Sequence, residues 1–293
     1  MLKGSIVALV TPFLEDGSIN YPKLKELLEY HIQNHTDGIV LLGTTAEATT
    51  LLLEEQLKII QFSINIINKR VPVIIGAGSN DTAKAIEKAH LFSSLGADYL
   101  LIITPYYNKT NTQGLIHHFE SIANASSVPI ILYNVPSRTG MSISISALER
   151  LSKHPNIKGI KEASGNMSYA MEVSRLINDD FVMLSGNDDI IVPMMSIGAT
   201  GVISVLANIC PQNTHTLCEL CLQEQYKKAS LLQRKLLPIA NALFYETNPI
   251  PVKAAMNDLG FNVGKYRMPL YPMDEELYRK MVGVIKENKE LIL

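Results

Sequence analysis

The sequence predicts an α/β protein, a (β/α)8 TIM barrel with a C-terminal helical extension. Three observations carry this expectation. Eight short runs rich in β-branched residues recur along the chain, at residues 5–10, 38–42, 73–75, 99–103, 130–133, 157–161, 182–184 and 202–205. They are nearly continuous apolar stretches, as parallel strands buried on both faces require. The segments between them repeat apolar residues at helical spacing, and after the eighth run the chain becomes helical without glycine up to residue 259.

The helices can be read in order. Leu24, Leu27, Leu28 and Ile32 share one face of the first, and Leu57, Ile60, Ile64 and Ile67 one face of the second. Asn80 and Asp81 are candidate caps for the third, and Gly96 ends it. Ser146 and Glu149 have the spacing of a capping box for the fifth. Eight such alternations favour a closed barrel over a doubly wound open sheet, which needs a topological switch point. The expected division is a barrel over residues 1–224 and a helical unit over residues 225–293.

Composition narrows the function. The 293 residues are 47% hydrophobic and 18% charged, with a formal net charge of −2. That supplies a large core and disfavours nucleic-acid binding. Cys210, Cys218 and Cys221 are too few and too clustered for a disulfide framework. The first apolar run is broken by Pro12, so no signal peptide is expected, and no run has the length of a membrane span. The expectation is a soluble cytoplasmic protein.

In a barrel, function sits at the C-terminal ends of the strands. Those ends carry Thr11, Thr44 and Thr45, Gly76 and Gly78, Tyr106 and Tyr107, Tyr133 and Arg138, Lys161, and Gly186. The mouth offers hydroxyls, glycines, one arginine and one lysine on a strand. It offers no histidine or cysteine, which argues against zinc or a thiol nucleophile and favours amine chemistry.

Lys161 is the strongest candidate. Strand parity puts it on one face with Ile157 and Gly159, and the glycine leaves room for its stem. Burial in an apolar barrel favours a neutral amine, which attacks a ketone to give an iminium. The alternative is a lysine at the rim or paired with Glu162. Lys158 has the opposite parity, and Lys109 lies in a loop. Thr44, Tyr107 and Tyr133 can relay protons, although each taken alone reads better as a packed aromatic or a turn hydroxyl. Arg138 can clamp a carboxylate. His31 and His35 have metal-ligand spacing without a carboxylate partner, so a helix surface is the expectation. Cys218 and Cys221 read as core, and Asp188 and Asp189 as acids at a helix start.

Seven segments then act together: ALVTPF (8–13), GTTAEATTL (43–51), TPYYNK (104–109), YNVPSRTG (133–140), IKGIKEASG (157–165), LSGND (184–188) and NPIPVKAAM (248–256). In this order they resemble the dihydrodipicolinate synthase family of the pyruvate-dependent class I aldolases. The resemblance implies condensation of pyruvate with L-aspartate 4-semialdehyde through a Schiff base on Lys161, with no metal or organic cofactor. It implies that Tyr133 is the general acid/base, and that Thr44 and Tyr107 complete a proton relay. Tyr107 would come from the neighbouring subunit of a tight dimer, within a homotetramer. Thr45 would bind the pyruvate carboxylate and Arg138 that of the second substrate. Gly186 and Ile203 would line the pyruvate pocket.

Two departures stand out. Ala46 replaces the family's glycine in the GTTGE loop. A left-handed backbone would strain an alanine there, whereas a need for close approach alone would admit it. Asn187 replaces a usual aspartate. At the inhibitory lysine site of some members this chain carries Leu53, Gln56 and Lys84 beside Asn80 and Tyr106. Lys84 would repel an ammonium, so weak or absent feedback by L-lysine is expected. The alternatives are a sibling aldolase, such as N-acetylneuraminate lyase or a keto-deoxy-sugar-acid aldolase, which typically lacks Arg138, and a non-catalytic keto-acid sensor.

Overall fold

The computed structural model describes residues 1–292. In chain order the barrel units are β1 (Gly4–Ala8) with α1 (Tyr21–Gln33), β2 (Gly38–Leu41) with α2 (Leu53–Ile67), and β3 (Val73–Gly76) with α3 (Thr82–Ser94). Next come β4 (Tyr99–Ile103) with α4 (Thr112–Ala125), and β5 (Ile130–Asn134) with α5 (Pro136–Thr139) and α6 (Ile145–Leu151). The last are β6 (Ile157–Glu162) with α7 (Met167–Ser174), β7 (Val182–Ser185) with α8 (Ile191–Ser196), and β8 (Gly201–Ser204) with α9 (Pro211–Leu222). The eight strands pair in sequence order and β8 closes onto β1, all parallel.

The strands are buried on both faces, which explains their continuous apolar character. Ile6, Val40, Ile74, Leu101, Ile131, Leu184 and Ile203 fill the barrel interior. Val7, Ile39, Ile75, Leu100, Leu132, Ile160, Met183 and Val202 face the helices. A bulge in β6 changes one expectation. Ile131 pairs with Gly159 although the preceding Ile130 pairs with Ile157, so the parity slips between Ile157 and Gly159. Ile157 therefore joins the outer core, while Lys161 shares the inward face with Gly159.

The caps are largely those expected. Asp81 accepts from the amides of Ala83 and Lys84, and Gly96 follows α3 with φ +99°. The start of α6 differs: Ser144, not Ser146, is the cap, accepting from Ala147 at 3.3 Å. His31 also departs from expectation. It is fully buried, with Nδ1 3.2 Å from Thr36 Oγ1, because it lies four residues after Leu27 on the inward face of α1. His35 falls beyond the helix. The three cysteines are free and buried, as core packing requires.

The extension comprises α10 (Tyr226–Ala242), α11 (Ile250–Asp258) and α12 (Glu275–Glu287). α10 packs on α8, α9 and α12, and the approach to α11 returns the chain to the mouth of the barrel.

Candidate active site

Lys161 stands near the end of β6 beside Tyr133 of β5 and Leu184 of β7. It is only 7% exposed, and its Nζ lies 4.4 Å from the centroid of the Tyr133 ring. Glu162 does not pair with it, and the rival Lys158 is engaged elsewhere. Glu162 faces outward, where its carboxylate accepts from Asn134 Nδ2 at 2.7 Å and Ser164 N at 2.7 Å. Burial raises the Glu162 pKa, and the hydrogen bonds from Ser164 and Asn134 oppose that shift. Lys158 pairs with Asp180 at 2.8 Å.

The space for the lysine stem has a different source from the one expected. A Cβ on Gly159 would meet the carbonyl oxygen of Val182 at 2.5 Å, so that glycine serves the close approach of β7. A Cβ on Gly186 would lie 3.0 Å from Lys161 Cε and 2.4 Å from the Ala163 methyl. Gly186 is therefore the position that leaves Lys161 its room. Ile203, 1% exposed, belongs to the same interior cluster as Tyr133.

The loop after β2 brings Thr44 and Thr45 to this end of the barrel. Thr45 is buried, and its Oγ1 accepts from Asn248 Nδ2 at 3.0 Å. The backbone carbonyl of Thr44 accepts from the amide of Glu47 at 3.1 Å. Ala46 causes no strain: the left-handed residues here are Leu42 (φ +55°) and Glu47 (φ +56°). The Ala46 methyl is buried, and its carbonyl accepts from Thr11 Oγ1 at 2.7 Å.

The left-handed turn at Glu47 is held from the extension. Glu47 and Lys253 form an ion pair at 2.7 Å with both side chains fully buried. The second Glu47 oxygen accepts from the amide of Arg267 at 2.9 Å, and Lys253 Nζ also donates to the Lys265 carbonyl at 2.6 Å. Arg267 pairs with Glu55 at the start of α2. Burial pulls the Lys253 pKa below its usual value, and the charge of Glu47 opposes that shift.

Arg138 sits on α5 and donates from Nη2 to the carbonyl of Asn248 at 2.9 Å. Its remaining N–H groups are available for a carboxylate. Tyr107 is the one expected residue that the chain does not bring in. It is 93% exposed with φ +68°. Its turn is fastened by Asn108 Nδ2 to Asn80 O at 2.8 Å and by Asn80 Nδ2 to Tyr106 O at 3.2 Å. Asp188 also differs from expectation. Instead of serving its own helix, its carboxylate accepts from Val205 N and Leu206 N, both at 2.9 Å, after β8. Of the positions compared with the inhibitory lysine site of some family members, Gln56 is buried with its amide donating to Leu51 O at 2.9 Å, and Leu53 and Lys84 are exposed.

Among the described residues no cluster of histidine, cysteine and acidic side chains has metal-site geometry, and no helix is long and apolar enough to cross a membrane. Residues 1–288 match the sequence profile of the Dihydrodipicolinate synthetase family. The chain belongs to the dihydrodipicolinate synthetase family. A relative in this family is the 4-hydroxy-tetrahydrodipicolinate synthase of Clostridium perfringens (strain SM101), 52% identical over 94% of each chain. The dihydrodipicolinate synthase of Acinetobacter baumannii, solved with pyruvate, is 40% identical with a TM-score of 0.97 over 100% of both chains. That of Aquifex aeolicus is 40% identical with a TM-score of 0.96, covering 100% of this chain and 99% of its own.

Sequence reading singled out Lys161, Tyr133, Thr44, Thr45, Arg138, Gly186 and Ile203 in this dihydrodipicolinate synthetase family chain, and all seven lie at or near the barrel mouth. It missed Asn248, Glu47, Lys253 and Arg267. Asn248 and Lys253 lie in the NPIPVKAAM segment and Glu47 in GTTAEATTL, whereas Arg267 lies in neither, and the contacts between those two segments span more than 200 residues.

Proposed function

We propose that this chain is a lyase that condenses pyruvate with L-aspartate 4-semialdehyde to 4-hydroxy-tetrahydrodipicolinate, the first committed step of the diaminopimelate route to L-lysine. The observation that carries the reading is Lys161, buried against Tyr133 at the C-terminal end of a barrel strand in a chain 52% identical to a 4-hydroxy-tetrahydrodipicolinate synthase.

Lys161 attacks C2 of pyruvate, and loss of water gives the iminium. Loss of a proton from C3 then gives the enamine. Thr45 donates to the pyruvate carboxylate, while Gly186 and Ile203 shape the pocket. The enamine carbon attacks the aldehyde carbon of the second substrate, whose carboxylate is held by Arg138. The amine of that substrate displaces Lys161 by transimination, which closes the ring and frees the enzyme. Tyr133 moves the protons, relayed through Thr44 and through Tyr107 of a neighbouring chain. No metal or organic cofactor enters these steps.

Tyr107 at 93% exposure, and the exposed Leu52 and Leu53, leave apolar surface that supports assembly with a second chain. The reading is a homotetramer built as a dimer of tight dimers, working in the cytoplasm. Weak or absent feedback by L-lysine follows from Lys84.

A coupled assay tests the function. Pyruvate with L-aspartate 4-semialdehyde is expected to give product, and N-acetylneuraminate to be left intact. Cleavage of N-acetylneuraminate without condensation of the semialdehyde would assign the chain to the sibling aldolases.

A further inference from the structure

We infer that Asn248 is a positioning residue whose side chain sets the hydrogen-bond polarity of Thr45, while its backbone carbonyl separately holds Arg138. This rests on the proposal that Thr45 and Arg138 receive the two substrate carboxylates. Asn248 lies outside the barrel, in the turn before α11, and is 6% exposed. Its side chain donates to Thr45 Oγ1 at 3.0 Å, and its backbone carbonyl accepts from Arg138 Nη2 at 2.9 Å. One residue of the extension thus touches both carboxylate-binding side chains.

The direction of the first bond matters. A hydroxyl that accepts from an amide N–H keeps its own proton free to donate. A substrate carboxylate accepts only, so Thr45 serves it only as a donor. With Asn248 supplying the N–H, the Thr45 proton stays available for that role. The reverse bond would spend the Thr45 proton on the protein.

Asn248 Oδ1 strengthens the case. It is buried and has no hydrogen-bond partner among the described residues. An unpartnered buried acceptor is destabilising, and buried polar groups are ordinarily paired. The contact to Thr45 is the one hydrogen bond this side chain makes among the described residues. The Arg138 bond uses the backbone carbonyl, which survives side-chain replacement. Loss of the side chain should accordingly harm pyruvate binding more than aldehyde binding, a split that general damage to the fold would not give.

The test measures pyruvate-dependent borohydride trapping and steady-state KM in the full-length enzyme. Asn248→Ala and Thr45→Val are each expected to raise the half-saturating pyruvate concentration about tenfold. The double variant is expected to be no worse than Thr45→Val, because Asn248 acts through Thr45. The near-isosteric Asn248→Asp, which can only accept, is expected to weaken pyruvate binding at least as much as Asn248→Ala. Wild-type pyruvate binding in either Asn248 variant, with Thr45→Val impaired, would overturn the role of Asn248 alone. Additive defects in the double variant would do the same. Wild-type behaviour of Thr45→Val would instead overturn the assignment of Thr45 beneath it.

Discussion

Lys161 and Tyr133 are paired across β6 and β5, with the lysine Nζ 4.4 Å from the centroid of the tyrosine ring. The register keeps the phenol beside whatever forms on the amine. Tyr133 is itself only 7% exposed, so water competes poorly for protons moved there. Tyr133→Phe keeps the ring and removes the hydroxyl proposed to carry the proton. It is expected to lower kcat by about 10²–10³-fold while pyruvate remains trappable on Lys161. Steady-state rates set beside borohydride trapping check this; a loss below tenfold would remove Tyr133 from proton transfer.

Tyr107 faces away from its own barrel, so its contribution should come in trans. Lys161→Ala and Tyr107→Phe are each expected to be poorly active alone. Mixed and reassociated, they form dimers in which one site carries neither lesion. At equal mixing about one site in four is restored. Activity no higher than the mean of the two parents would place Tyr107 outside the working site.

The Glu47–Lys253 pair fixes a left-handed turn between Thr45 and α2. Both side chains are fully buried, so removing one partner strands a charge. Lys253→Met is expected to cost about 3–5 kcal/mol of stability. Adding Glu47→Gln should recover part of that loss rather than deepen it. Urea unfolding of the two variants decides between the outcomes.

His31 gives a pH dependence of defined sign. Burial lowers its folded pKa to about 3, whereas an unfolded histidine titrates near its ordinary value of about 6.5. Between these values the unfolded chain binds the extra proton. Stability is therefore full above about pH 6.5 and falls as pH drops toward about 3. From pH 7 to pH 5 the loss attributable to His31 is about 2 kcal/mol. His31→Gln should flatten the profile by that amount in urea titrations at the two pH values; an unchanged slope would contradict the burial argument.

The barrel was legible because parallel strands buried on both faces read as apolar runs, and each was followed by a helical period. Lys161 was legible because it is a charge at the end of such a run. The surroundings were less so. A bulge, invisible in a period-two pattern, moved Ile157 to the outer core, and the space for the lysine came from Gly186 on the neighbouring strand rather than from Gly159. His31 had a readable signal, since Leu24, Leu27 and Leu28 precede it by seven, four and three residues on one helix face. Asn248 and Lys253 had none beyond their motif. They meet Thr45 and Glu47 across 203 and 206 residues, and local periodicity carries nothing about partners at that separation.

Imine formation on Lys161 is the most direct test. The enzyme is treated with pyruvate and borohydride, digested, and its peptides are weighed. One 1-carboxyethyl group is expected on the peptide containing Lys161, with none in Lys161→Ala and with activity lost in proportion to labelling. Label on another lysine, or full activity in Lys161→Ala, would contradict the assignment of the catalytic amine.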